Sequence, residues 1–218
     1  MGNCDSKTGF LFDLDGVIID SENQYTKIWA QINREFPTGI EDLEHKIKGS
    51  TLTKILEENY PTEEIRQSVA SRLHQLENRM HYEYLPYARN FLLMLKEKNL
   101  PCVLVTSSDN QKMQHLWEEI PELQNLFDYI ITGDKVTKSK PDPEGYLLGA
   151  SKIGVNPQNC VVFEDSLQGV MAGKNAGSFV VGVCGTNTPE TLAPYSHILI
   201  NDFSEIDLDN LIQKLKER

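Results

Sequence analysis

Several features that define common protein classes are missing from this sequence. No apolar run approaches the roughly 20 residues that a membrane-spanning helix needs, so no membrane span is expected. The four cysteines form no CxxC pair, and Cys102, Cys160 and Cys184 lie in or beside apolar runs. This pattern suggests no zinc site and no disulfide framework, and it favours a reducing, cytoplasmic location. No run of basic residues occurs, so no nucleic-acid partner is expected.

The charge is strongly one-sided, with 21 Lys and Arg against 32 Asp and Glu, a net charge of −11. Acidity of this kind mostly keeps a protein in solution. An acidic enzyme that handles phosphate must create a local positive site from a metal ion, a lysine and backbone N–H groups.

The N-terminus lacks the apolar core of a signal peptide. It fits the loose pattern M-G-x-x-x-[ST], in which Gly2 would be myristoylated and Cys4 palmitoylated. An ordinary unstructured terminus explains such a short match more often.

Short apolar runs alternate with amphipathic segments, which predicts strands that alternate with helices. The predicted strands are residues 9–12, 102–105, 129–131, 161–163, 179–181 and 197–200. This order is typical of an α/β fold with a Rossmann-like, mostly parallel sheet covered on both faces.

One long stretch, from about residue 21 to 84, has helical spacing without a strand, and it interrupts the alternation after the first strand. We therefore predict a small α-helical cap domain, residues 18–85, inserted into a core of 1–17 and 86–218. The connections near residues 17–20 and 85–88 are the expected hinges. A chain of 218 residues suits one core with a smaller module, and we expect a monomer.

Polar side chains recur where the predicted strands end. Asp13 and Asp15 follow the first strand, Thr106 follows the second, and Glu164 and Asp165 follow a later one. The carboxyl ends of parallel strands form the edge at which ligands bind. Each motif by itself is more often a turn or a helix cap, but turns do not explain their joint recurrence at strand ends.

Four acids at one edge repel each other unless a cation joins them. Mg²⁺ prefers oxygen ligands and usually keeps waters and a substrate phosphate, so we predict a Mg²⁺ site. Lys140 and Thr106 can then neutralise and hydrogen-bond the phosphoryl oxygens.

The same segments resemble the four motifs of the haloacid dehalogenase (HAD) superfamily. They are FDLDGV from residue 12, VTSS from 105, KPDP from 140 and FEDSLQG from 163, and AGKNAG from 172 is similar to a further family run. The resemblance covers nearly the whole chain. It is nearest to sugar-phosphate phosphatases and β-phosphoglucomutase-like proteins with a small helical cap.

The resemblance implies a role for each acid. Asp13 would be the nucleophile that takes the phosphoryl group, and Asp15 would protonate the leaving group and then activate water. Asp13, the backbone carbonyl of Asp15, and Asp165 would hold Mg²⁺, with Glu164 acting directly or through a bound water.

The resemblance also implies which residues bind the substrate. Thr106 and Lys140 would grip the transferring phosphate and so join the catalytic residues. The implied substrate-binding residues are Thr106, Ser107, Ser108, Asn110, Lys140 and Gly49.

The leading hypothesis is hydrolysis of a small phosphorylated metabolite, a sugar or polyol phosphate. The alternative is a β-phosphoglucomutase-like sugar phosphomutase, for which the resemblance would place an arginine shortly after Gly49 and a histidine near position 25. This sequence has Ser50, Thr51 and Leu52 after Gly49, and Tyr25 instead of the histidine. A third hypothesis is a non-enzymatic phosphoacceptor module, which is shorter and has no cap.

Overall fold

The computed structural model describes residues 7–218, and within them six parallel strands form one sheet. Gly2 and Cys4, the predicted lipidation positions, lie outside the described residues. The strands are β1 (Gly9–Phe12), β2 (Cys102–Val105), β3 (Tyr129–Ile131), β4 (Cys160–Glu164), β5 (Phe179–Val183) and β6 (Ile198–Ile200). Their order in the sheet is β3-β2-β1-β4-β5-β6. The predicted α/β fold with a parallel sheet is confirmed.

The helices fall into two groups. The helices between β1 and β2 that form the cap are α1 (Glu22–Glu35), α2 (Leu43–Lys46), α3 (Leu52–Asn59) and α4 (Glu63–Glu77). The remaining helices are α5 (Ala88–Glu97), α6 (Asn110–Glu119), α7 (Glu144–Lys152), α8 (Leu167–Asn175), α9 (Pro189–Leu192) and α10 (Leu208–Lys216). The exact domain limits of 18 and 85 stay a prediction. Among the described residues, no helix is both long and apolar enough to cross a membrane.

The four central strands are buried along their whole length, as expected for a parallel sheet with helices on both faces. On one face, Phe12 stacks on Phe163 with ring centroids 4.6 Å apart, and Phe91 and Phe203 pack beside them. On the other face, Leu11 belongs to a second apolar cluster. Side chains alternate between the faces of a strand, so β1 supplies both clusters.

The register of the central strands determines which residues meet at the carboxyl edge. Phe12 is level with Leu104 of β2 and with Phe163 of β4. Asp13 therefore emerges between the ends of β2 and β4, and its backbone N–H donates to the carbonyl of Phe163 at 3.0 Å.

Two neighbouring segments connect the cap to the sheet. Ile19 forms isolated β-bridges with Asp15 and with Tyr84, and the N–H of Leu85 donates to the carbonyl of Ile18 at 2.9 Å. The two connections between cap and core therefore lie side by side, and they meet the core at Asp15.

Candidate active site

Asp13 and Lys140 form a buried ion pair at the centre of the carboxyl edge. Lys140 Nζ donates to Asp13 Oδ1 at 2.6 Å, to Glu164 Oε1 at 2.5 Å and to the carbonyl of Val105 at 3.3 Å. Burial raises the pKa of Asp13 to about 7, although Lys140 lowers it. Burial lowers the pKa of Lys140, but Asp13 and Glu164 outweigh it and hold that pKa above its ordinary value. The ammonium group therefore stays charged between the two carboxylates.

Glu164 is completely buried and anchors the lysine. Its Oε1 also accepts from the Tyr146 hydroxyl at 2.5 Å, and its Oε2 accepts from the Ser166 hydroxyl at 3.1 Å. A Cβ on Gly169 would lie 2.0 Å from both carboxylate oxygens, so helix α8 can start this close only with glycine there.

Asp165 supplies a further buried acid, with 1% of its surface exposed. Its Oδ2 has no hydrogen-bond partner among the described residues. Burial raises the pKa of Asp165 well above its ordinary value, and Glu22, Glu164 and Asp13 raise it further. A cation at this position would remove that electrostatic penalty.

The donor set fits a divalent cation. One carboxylate oxygen each from Asp13, Glu164 and Asp165 lies within 4.8 Å of the others. Lys140 offsets only one of these three buried negative charges, and a hard cation with oxygen ligands would offset the others. The predicted metal site is thus supported for these three acids, and the side chain of Asp15 lies outside the group.

Asp15 faces the opposite wall of the site, where it is held by hydroxyl groups and a lysine. Its Oδ2 accepts from Lys112 Nζ at 2.5 Å and from the Ser108 hydroxyl at 3.1 Å, and its Oδ1 accepts from the Ser21 hydroxyl. Lys112 is 3% exposed and lies 4.2 Å from the centre of the Tyr25 ring. These contacts fix the orientation of the Asp15 carboxylate.

A cavity of about 110 Å³ lies between the cap and the carboxyl edge of the sheet. Asp13, Asp15, Ser108 and Asp165 line it from the core. The apolar residues that line it from the cap are Tyr25, Trp29, Ile47, Leu52, Ile55 and Leu73. The cap therefore covers Asp13 and forms the apolar wall of the cavity.

Three polar contacts hold the cap against the core around this cavity. The Ser107 hydroxyl donates to the carbonyl of Gly49 at 2.9 Å. The Thr51 and Ser139 hydroxyls lie 2.7 Å apart, and His74 Nε2 lies 3.0 Å from Asp109 Oδ2. Each contact joins a cap residue to a core residue, and the described conformation is closed.

The structure brings together most of the residues selected from the sequence. The selected residues that line the cavity are Asp13, Asp15, Gly49, Ser107, Ser108 and Asp165. Lys140 and Glu164 lie directly behind Asp13, and Thr106 is buried at the end of β2. Asn110 is not among the lining residues, because its side chain accepts from Thr132 at the exposed start of α6.

Other residues of the site were not selected from the sequence. Lys112 and Ser21 hold Asp15, Tyr146 holds Glu164, and Glu77 lies in the cap wall. The sequence distinguishes these residues only by their position. Lys112, for example, lies in the first turn of α6, the helix that follows β2. Nothing in the sequence predicts which face of that helix turns toward the site.

Comparison with known proteins agrees with this geometry. Residues 10–183 match the model of the haloacid dehalogenase-like hydrolases, and the chain belongs to that family. Within the family it falls in the group of sugar-phosphate phosphatases and β-phosphoglucomutase-like proteins. The predicted enzyme class, a HAD-type phosphatase, is confirmed at this level.

Individual relatives cover nearly the whole chain. Validoxylamine A 7'-phosphate phosphatase of Streptomyces hygroscopicus subsp. limoneus is 30% identical over 203 residues, 90% of this chain and 94% of that protein. Hexitol phosphatase A of Escherichia coli is 31% identical over 182 residues, 80% of this chain and 82% of the relative. The crystal structure of β-phosphoglucomutase from Clostridium difficile is 26% identical, with a TM-score of 0.80, and covers 97% of this chain and 98% of its own.

Proposed function

We propose that this chain is a Mg²⁺-dependent phosphatase that hydrolyses a sugar or polyol monophosphate through an aspartyl-phosphate on Asp13. Asp13 is the acid at the end of the central strand, and Lys140 orients its Oδ1. The geometry supports this role because the carboxylate lines the cavity while charged groups fix it from behind. The names of the relatives, hexitol phosphatase and a carbohydrate phosphatase among them, support a polyhydroxylated substrate.

The chemistry takes two steps. A carboxylate oxygen of Asp13 attacks phosphorus, the bond from phosphorus to the leaving oxygen breaks, and Asp15, which must enter this step protonated, gives its proton to that oxygen. Asp15 then takes a proton from water, which attacks the aspartyl-phosphate and releases phosphate and free Asp13. Lys140 and Thr106 bind the phosphoryl oxygens during both steps.

Asp13, Glu164 and Asp165 would hold the cation, together with the backbone carbonyl of Asp15 as the family resemblance implies. A bound divalent cation would neutralise the charge on the phosphoryl oxygens. The closed cap excludes bulk water from the nucleophile during the first step.

One observation favours hydrolysis over transfer to a second hydroxyl. A mutase must hold a bisphosphorylated intermediate, which needs a free cation in the cap to bind the second phosphate. The two lysines that line the cavity are already paired, Lys48 with Glu22 at 2.5 Å and Lys112 with Asp15 at 2.5 Å. Among the described residues, no arginine lines the cavity. The absence of an unpaired lining cation among the described residues supports hydrolysis over the phosphomutase alternative.

Phosphate release from sorbitol 6-phosphate in Mg²⁺ tests the proposal. Asp13→Asn should lower turnover by about 10³-fold or more while the variant stays folded, because a carboxamide is a poor nucleophile of nearly the same shape. Asp20→Asn is the matched control, since Asp20 is an exposed acid in the same segment. Full turnover in Asp13→Asn would contradict the proposal. So would glucose 6-phosphate formation that outpaces phosphate release when β-glucose 1-phosphate is supplied with a trace of the 1,6-bisphosphate.

A further inference from the structure

A buried carboxylate in the cap wall has one oxygen without a partner. Glu77, the last residue of α4, is 4% exposed and lines the cavity. Its Oε1 accepts from the Tyr25 hydroxyl at 2.7 Å. Its Oε2 has no hydrogen-bond partner among the described residues. The nearest basic side chain, His74, has its Nε2 3.9 Å from Oε2 and hydrogen-bonds to Asp109 instead.

Such an arrangement is unfavourable unless a donor arrives from the cavity. A buried acceptor that has left water and made no bond carries the full penalty of its desolvation. Burial also raises the pKa of Glu77, against the lowering effects of Lys112 and of the Tyr25 hydrogen bond. A purely structural role in holding Tyr25 would need only one of the two oxygens. The second oxygen therefore lacks the donor that its burial calls for.

The surroundings of Glu77 restrict the chemistry of that ligand. Trp29, Ile55 and Leu73 line the same wall and are each 5% exposed or less. This apolar surface fits the C–H faces of a carbon chain or ring, and the unpartnered oxygen of Glu77 fits an O–H donor on it. Glu44 also lines the cavity and would repel a second anionic group there.

We propose that Glu77, oriented by Tyr25, is the specificity-determining residue that accepts a hydrogen bond from a hydroxyl of the leaving group. The substrate is then the monophosphate of an uncharged polyhydroxy compound. This inference rests on the proposed function and identifies what the cap recognises in the same site. A site built to bind a hydroxyl group rejects analogues that lack it, because its buried polar group is left unpaired.

The test uses two substrates that differ only in hydroxyl groups, sorbitol 6-phosphate and n-hexyl phosphate. The preference is the ratio of their kcat/KM values, measured for the wild type, Glu77→Leu and Glu77→Gln. Glu77→Leu should lower the preference by about 10- to 100-fold, the range of a hydrogen bond to a charged group. Glu77→Gln, which keeps an oxygen acceptor of the same shape without the charge, should lower it less. Glu64→Leu, an exposed acid on the same helix, is the control and should keep the wild-type preference.

The outcomes separate this inference from the proposed function. Suppose that the wild type hydrolyses p-nitrophenyl phosphate but does not prefer sorbitol 6-phosphate over hexyl phosphate. That result would overturn the inference about Glu77 and leave the proposed function intact. A preference that stays within twofold of wild type in both Glu77 variants would do the same. A wild-type preference for 6-aminohexyl phosphate over sorbitol 6-phosphate would assign Glu77 to an ammonium group instead. Failure to hydrolyse any of these esters would refute the proposed function itself. Should Glu77→Leu not fold, Glu77→Gln decides.

Discussion

Replacing Lys140 with methionine should destabilise the protein through the acids that the lysine neutralises. Lys140→Met preserves most of the side-chain volume but removes the ammonium group that lies 2.6 Å from Asp13 Oδ1 and 2.5 Å from Glu164 Oε1. Asp13 is 8% exposed and Glu164 is completely buried. The variant therefore contains two buried carboxylates without a positive partner.

The expected loss in the free energy of unfolding follows from the burial of Lys140 and its two carboxylate partners. Removing one partner of a buried ion pair typically costs about 3–5 kcal/mol. For a chain of this size, about 2–4 °C of Tm corresponds to each kcal/mol, so Tm should fall by about 6–20 °C. Burial already raises the pKa of Asp13 to about 7 beside Lys140. A carboxyl group whose pKa is higher in the folded state than in the unfolded state contributes most to the free energy of unfolding at low pH. This contribution is lost as the pH rises through the folded-state pKa. The loss in Lys140→Met should therefore be larger near pH 8 than near pH 5.5.

Thermal unfolding followed by circular dichroism in EDTA measures this effect without a cation that would replace the lysine. The double variant Lys140→Met/Glu164→Gln should regain at least about 1 kcal/mol, because it removes one uncompensated charge. Lys138→Met is the matched control, since Lys138 is 69% exposed and pairs with Asp142 only at the surface. That control should change stability by about 1 kcal/mol at most. A loss below about 1 kcal/mol in Lys140→Met near pH 8, or a double variant no more stable than the single one, would refute the reasoning.

Three further predictions concern the cation, the turn beside it and the closed cap. EDTA should abolish phosphate release, and added Mg²⁺ should restore it and raise Tm, because the clustered acids need a counter-charge. Full activity in excess EDTA would show that the acids need no cation. Gly16→Ala should lose both activity and the Mg²⁺-induced rise in Tm, because its Cβ would lie 2.0 Å from Asp165 Oδ2 at a φ of +73°; a wild-type response in calorimetry would contradict this. The hydrogen bond to Asp109 raises the pKa of His74, so this pair stabilises the fold below the ordinary histidine pKa of about 6.5 and ceases to do so as the pH rises through the raised pKa. The stability advantage of the wild type over His74→Gln should therefore be largest near pH 6 and shrink toward pH 8 in denaturant titrations, and an advantage that grows with pH would be the opposite result.

The predicted strands agree closely with the observed ones. The run from 161 to 163 is the middle of β4, which extends to Cys160 and Glu164, and the last strand begins at Ile198 instead of residue 197. Strands buried on both faces must be continuously apolar, and this local pattern is visible without any knowledge of neighbours. The predicted helical insertion after β1 is likewise present as α1 to α4.

The acid cluster was predictable for a related reason. The acids follow apolar runs directly, and parallel strands place all such positions at one edge of the sheet. The meeting of Asp13, Glu164 and Asp165 therefore follows from strand ends alone. Asn110 shows the limit of this reasoning, because it is the first residue of α6 and the rotation of that helix directs its side chain to Thr132.

The sequence by itself determined the α/β class, the inserted helical cap, the family and the residues that converge on Asp13, because these depend on local patterns and on strand order. Only the tertiary structure decided that Lys112 pairs with Asp15, that Lys48 pairs with Glu22 and that Glu77 lines the cavity with one oxygen unpaired among the described residues. Those contacts join elements far apart in the chain, and they depend on how each helix is rotated and how the cap lies on the core. The choice between hydrolysis and transfer, and the chemistry of the leaving group, depend on the same packing.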